Sequence, residues 1–122
     1  MIQAILLARV SSREQEEGQS IPAQVRRLTD YAIRKNLKVT QTFQITESST
    51  KETRKQFDQI IAFVKKAREP VALITDTVDR LQRSFRETPL LDEMRKQGKL
   101  ELHFLREGLY SSRVGLLNKH LL

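Results

Sequence analysis

Arginines, hydroxyls and carboxylates gather at three places in the sequence. The first group is Arg9, Ser11, Ser12, Arg13 and Gln15. The second is Glu47, Ser48, Ser49 and Arg54, and the third is Asp76, Asp79, Arg80 and Arg83. That set of side chains suits phosphoryl transfer. Displacement at a phosphodiester builds charge on the equatorial and leaving oxygens, and planar guanidinium groups stabilise it with paired N–H donors, as metal ions do elsewhere. A serine hydroxyl that attacks phosphorus stores the bond energy as a phosphoserine, so the broken strand can be rejoined without ATP. Arg80 and Arg83 are three apart, and on one helix face they could hold two oxygens of the same phosphate.

Other chemistries are poorly supplied. The chain has no cysteine and only two histidines, His103 and His120, which removes thiol nucleophiles, disulfides and zinc ribbons and leaves little for a metal site. Its four glycines stand at neither dinucleotide-binding nor phosphate-loop spacing. Taken singly, each candidate also has a plainer reading. An arginine at a strand end is usually a solvated charge, and this is the default for Arg9 or Arg54 alone. Ser20, Ser48, Ser49 and Thr53 read as caps or turn formers, Asp76 and Asp79 as complements to a helix N-terminus, and Lys65, Lys66 and Arg68 as complements to a helix C-terminus. His103 reads as a strand residue with no ligand role. Convergence of three segments on one edge is what favours chemistry.

The elements that would bring them together follow from periodicity. Ile2 to Ala8 is a short apolar run that predicts a buried strand. Ser20-Ile21-Pro22 starts a helix whose stripe is Val25, Leu28, Tyr31 and Ala32 and whose stop is Asn36. Residues 37 to 45 alternate as a second strand, with one irregularity that suggests a bulge. Residues 46 to 53 are hydroxyl-rich and predict a loop ending in a cap. A second helix then carries Phe57, Ile60, Ile61, Phe63 and Val64 inward and ends before Pro70. Val71 to Thr75 predicts a central parallel strand covered on both faces. A third helix falls within 84 to 97, with Leu90, Leu91 and Met94 inward and Gly98 as its stop. Leu100, Leu102 and Phe104 alternate with Glu101, His103 and Leu105, which predicts a fourth strand at the sheet edge. The fold class expected is α/β: a doubly wound, mainly parallel four-stranded sheet with helices on both faces. In such sheets ligands bind at the carboxyl ends of the strands, where all three polar groups fall.

At 122 residues the chain has room for one hydrophobic core. Lys and Arg number 22 against 15 Asp and Glu, a formal charge of +7. That surplus points to a polyanionic partner, nucleic acid before anionic membrane. No apolar run approaches the roughly 20 residues that span a bilayer, and the apolar N-terminus meets Arg9 too early for a secretory leader. A cytoplasmic protein is expected.

The run Ala8-Arg9-Val10-Ser11-Ser12-Arg13-Glu14-Gln15, followed by Gly18-Gln19-Ser20-Ile21-Pro22-Ala23-Gln24, resembles the opening of the serine site-specific recombinases, and most closely the large recombinases of transposons and phages. Asp79-Arg80-Leu81-Gln82-Arg83 is similar to that family's DRLxR motif, and Ser48-Ser49-Thr50 with Arg54 and Phe57 is a weaker third match. The resemblance spans about residues 2 to 110 and implies a resolvase-like catalytic domain over 1–110. It aligns Ser11 with the nucleophile, and Arg9, Arg54, Arg80 and Arg83 with phosphate-binding arginines. Asp79 aligns with a carboxylate that orients arginines or moves a proton, and the identity of the general base stays open. Gln15, Gln24 and Ser48 align with supporting residues, Ser49 being the alternative to Ser48. It further implies double-stranded DNA as substrate, a 5′-phosphoserine intermediate, strand exchange and religation with no cofactor, in a homodimer or tetramer of the full-length protein. Leu7 stands where many relatives carry tyrosine. Residues 111–122, with Val114, Leu116, Leu117, Leu121 and Leu122, are expected to approach a long dimerisation helix, and the domain alone is expected to be inactive. The competing reading is a non-catalytic module that binds phosphate or nucleic acid through the same arginines.

Overall fold

The structure is a computed structural model that describes residues 1–10, 21–46, 50–76, 88–105, 109–111 and 118–119. Its elements in chain order are β1 (Gln3–Val10), α1 (Ile21–Arg34), β2 (Lys38–Thr46), α2 (Thr50–Lys66), β3 (Val71–Thr75), α3 (Thr88–Lys96), β4 (Leu100–Phe104), β5 (Leu109–Ser111) and β6 (Asn118–Lys119). They form one sheet in the order β2-β1-β3-β4-β5-β6. The first four strands are mutually parallel, as expected of a doubly wound domain. The short strand β5 pairs antiparallel with β4, and β6 pairs antiparallel with β5.

Alternation along β1 divides the core into two layers. Ala4 and Leu6 face α1 and pack with Leu28, Tyr31, Ala32, Leu37, Ala72 and Ile74. Ile5 and Leu7 face the other way, into a larger cluster with Phe57, Ile60 and Val64 of α2, Leu91 and Met94 of α3, and Leu100 and Phe104 of β4. All five residues of β3 are buried, because helices cover both its faces.

The predicted bulge lies in β2. Ala4 pairs with Val39 and Ile5 with Gln41, so Thr40 is the extra residue. Its hydroxyl donates to the Ala4 carbonyl at 3.3 Å. One inserted residue reverses side-chain parity. Leu37 accordingly packs on the α1 side while Phe43 and Ile45 pack on the α2 side, although all three are odd-numbered.

Two helix ends are set by left-handed residues at the predicted stops. Asn36 has φ 59° and Gly98 has φ 80°. After α1, the Leu37 N–H donates to Ala32 and the Asn36 N–H to Ile33; after α3, the Lys99 N–H donates to Met94 and the Gly98 N–H to Arg95. Each pair of bonds is a Schellman closure, and glycine or asparagine tolerates the φ it requires.

Three expectations need correction. β4 is not an edge strand: β5 covers it, and the polar side of β4 faces α1, where His103 is buried and bonded. α2 begins at Thr50, not after Thr53. Leu90 is exposed, and of the three apolar residues expected inward α3 buries Leu91 and Met94. In the tail, Asn118–Lys119 pairs with β5 as a strand.

A surface cluster on α3 supplies a pH prediction. Arg95 donates to Asp92 at 3.0 Å, and Lys96 stands 3.5 Å from the same carboxylate. The hydrogen bond from Arg95, opposed by partial desolvation and aided by the charges of Arg95 and Lys96, holds the Asp92 carboxyl below its ordinary 3.8. A depressed carboxyl stabilises the fold above its unfolded value, and that contribution is lost as pH falls through the folded one. Asp92 is half exposed, so Asp92→Asn is expected to cost only about 0.3–0.5 kcal/mol at neutral pH. In urea titrations the cost should vanish once pH drops below the lowered value.

Candidate active site at the strand ends

The sheet order places β1 between β2 and β3, and because all three are parallel their carboxyl ends share one edge. Ser11 follows the last residue of β1. Ser48, like Ser49, lies between β2 and α2, and Asp79, Arg80 and Arg83 lie between β3 and α3. These residues and Gln15 are outside the described residues. The structure therefore shows where their segments begin and end.

Arg9 and Gln24 are brought together. The β1–β3 ladder ends at the Leu7–Thr75 pair, and the Thr75 hydroxyl donates to the Leu7 carbonyl at 3.2 Å. Two residues on, Arg9 presents its N–H and C=O to the same side, with no β3 residue in register beside it. The Gln24 side chain fills that place. Its Oε1 accepts from the Arg9 N–H at 3.2 Å, and its Nε2 donates to the Arg9 carbonyl at 3.0 Å. A carboxamide carries one acceptor and one donor group, so it can stand in for the peptide unit of a neighbouring strand, and only one orientation of the amide satisfies both bonds. Gln24 is fully buried. It holds the last turn of β1 two residues before Ser11.

Arg9 itself is 4% exposed, not the solvated surface charge that is the default for a lone arginine at a strand end. Burying a guanidinium is costly unless it is partnered, and Arg9 has further interactions. Arg54 differs. It lies near the start of α2, exposed, beside Lys55, Asp58, Gln59 and Ala62 on a shallow groove.

Asp76, the first residue after β3, is 1% exposed. Its Oδ2 lies 3.5 Å from Nη2 of Arg27 on α1. The carboxylate thus pairs with α1, whereas the sequence suggested a helix N-terminus; the described third helix starts only at Thr88 and has no acid in its first turn. Arg27 carries only a weak signal in the sequence. The available signal was its spacing, three residues after Gln24, on the same side of an amphipathic helix.

A second polar connection ties α1 to the sheet. The Tyr31 hydroxyl is 2.6 Å from His103 Nδ1, and His103 Nε2 is 3.2 Å from Glu101 Oε1. The Tyr31 and His103 rings meet edge-on, with centroids 5.6 Å apart. His103 is a buried, satisfied core histidine. Among the described residues no group of three or more His, Asp or Glu side chains is placed to hold a metal ion, and no helix is long and apolar enough to cross a membrane.

No curated protein matches the chain at a significant level. Among solved structures, the crystal structure of the N-terminal catalytic domain of TP901-1 integrase is similar, with a TM-score of 0.68 and 24% sequence identity over 88% of this chain and 80% of that one. At that identity the likeness is one of fold. The family described as Resolvase, N terminal domain, matches residues 4–116. With nearly the whole sheet inside that match, the chain belongs to the resolvase N-terminal domain family of site-specific recombinases.

Proposed function

We propose that this domain cuts and rejoins double-stranded DNA, with Ser11 as nucleophile. The Ser11 Oγ forms a bond to a backbone phosphorus while the bond from phosphorus to the 3′-oxygen breaks. The serine proton passes to a base, the departing 3′-oxygen takes up a proton, and the 5′-phosphate stays on Ser11. Reversal at a new 3′-hydroxyl rejoins the strands and frees the serine. Because the phosphoester energy is kept, the residues named require neither nucleotide nor metal for this sequence of steps.

The observation that carries the reading is the Gln24 clamp on Arg9 at the edge where β1, β2 and β3 end. A nucleophile must be held close to its target geometry, and fixing the backbone just before it supplies that order. Arg9 would stabilise the phosphate with Arg54, Arg80 and Arg83. Asp79 would orient those arginines or move a proton, while Gln15 and Ser48 would support them. The register adds to this: Ser11 and Asp79 each follow the paired residues Leu7 and Thr75 by four positions. Paired scission on a duplex further implies that the full-length protein acts as a dimer that assembles into a tetramer.

The test is to incubate the full-length gene product with a supercoiled plasmid carrying the DNA that flanks its gene, with a chelator present, and to quench in detergent. Protein covalently attached to 5′-ends is expected, with free 3′-hydroxyls. Binding of the plasmid with intact strands throughout would favour a phosphate-binding module without chemistry.

A further inference from the structure

We infer that Arg27 and Asp76 form a positioning pair through which α1 sets the start of the Asp79–Arg83 segment relative to Ser11; this rests on the function proposed above. Gln24 and Arg27 are one helical turn apart on α1. Gln24 holds the end of β1 by the backbone of Arg9, and Arg27 reaches the end of β3 at Asp76, 49 positions away in sequence. One face of a single helix therefore grips both strand ends from which the proposed nucleophile and the proposed arginines depart. β1 runs three residues beyond the last β1–β3 pair, so the sheet ladder alone does not tie these two segments together. The α1 contacts replace it there.

The asymmetry of burial suits this role. Asp76 is 1% exposed, whereas the Arg27 side chain is 38% exposed. A buried carboxylate is costly without countercharge, and Arg27 supplies one from α1 beside the further interactions that Asp76 makes. A well-packed apolar pair would serve stability as well or better. What the ion pair adds is a charge-dependent link between α1 and the end of β3, a single contact at 3.5 Å that a lysine at position 27 could also make. Asp76 is three residues before Asp79 and four before Arg80, close enough that a displacement of its backbone passes directly into that segment. Arg27 and Asp76 act through other residues and touch no phosphate in this account.

The experiment measures the single-turnover rate of covalent adduct formation on the same plasmid by full-length Arg27→Met, Arg27→Lys, Asp76→Asn and the Arg27→Met/Asp76→Asn double variant, with plasmid half-saturation and the thermal midpoint measured alongside. Each neutralising single change is expected to slow adduct formation at least about tenfold with half-saturation unchanged within about twofold, the scale of a misplaced reacting group. The double variant is expected to be no slower than the slower single, and Arg27→Lys to recover most of the rate. A rate loss that tracks only the thermal midpoint, losses that multiply in the double variant, or Arg27→Lys no better than Arg27→Met would overturn the pair as a positioning device. Wild-type rates in both neutralising variants would overturn it while leaving the proposed function intact. If the wild-type protein forms no adduct that depends on Ser11, the function fails and this inference with it.

Discussion

Ser11→Ala protein is expected to bind DNA like the wild type and to form no covalent adduct, with strand cleavage falling by at least about 10⁴-fold, the scale seen when a covalent nucleophile is removed. The hydroxyl is the group that makes the new bond to phosphorus, and no neighbouring cysteine can replace it because the chain has none. Ser12→Ala is the internal control. Ser12 is one residue farther from the end of β1 and aligns with no role in the family's motif. Its loss should leave adduct formation within about threefold of wild type. DNA binding should survive both changes, since affinity for duplex comes mainly from cationic contacts to the backbone and is salt-dependent. A gel that resolves free, bound and protein-linked DNA reads all three quantities.

Gln24→Ala is expected to lower stability by roughly 2–4 kcal/mol and to slow cleavage by up to about 100-fold. The stability part comes from two buried backbone groups. The Arg9 N–H and C=O lose the amide that bonds them at 3.2 and 3.0 Å, and an unsatisfied buried donor or acceptor costs about 1–3 kcal/mol. The activity part comes from the end of β1, which has no β3 residue beside Arg9 to hold it in place once the amide is gone. Misplacing a reacting group by about 1 Å can cost 100-fold. Gln24→Glu sharpens the test. A carboxylate keeps the bond from the Arg9 N–H but cannot donate to the Arg9 carbonyl, so it should rescue less than half of the stability loss. Urea unfolding gives the first quantity and single-turnover cleavage the second.

Much of the scaffold is legible in sequence because periodicity and end signals agree. Val71 to Thr75 reads as a central strand from composition alone, and burial of the whole strand follows from the helices on either side. Asn36 and Gly98 mark helix ends because they accept a left-handed φ cheaply, and both do so. The bulge at Thr40 shows as a fault in alternation before its partner strand is known. What sequence conceals is pairing at a distance. Glu101 and His103 look like the polar side of an edge strand, since nothing local indicates that Tyr31 waits 72 residues earlier to bond His103. β5 is three residues long and β6 two, too short for any period to register. The hydroxyls among residues 50 to 53 have loop composition, which conceals the start of α2 at Thr50.

The candidate site divides along the same line. Ser11, Arg80 and Arg83 are proposed on motif alone, and they lie outside the described residues. Arg9 was legible as a family position but not as a buried one. The Gln24 clamp was legible as a supporting residue but not as a stand-in for a missing strand. Arg27 shows in sequence only as a residue three after Gln24 on α1, and its ion pair across 49 residues leaves no local pattern. The +7 charge acquires a narrower meaning under the proposed function, which takes four of the 22 basic residues, Arg9, Arg54, Arg80 and Arg83, for one phosphate.

The most direct measurement is to trap the covalent adduct of the wild-type full-length protein with nicked duplex DNA, digest protein and DNA, and identify by mass spectrometry the residue that carries the 5′-phosphate. The account predicts a single modified peptide from the β1 end, with the phosphate on Ser11. A phosphate on Ser12, on Ser48 or on any other residue, or tight DNA binding with no modified peptide at all, would contradict it.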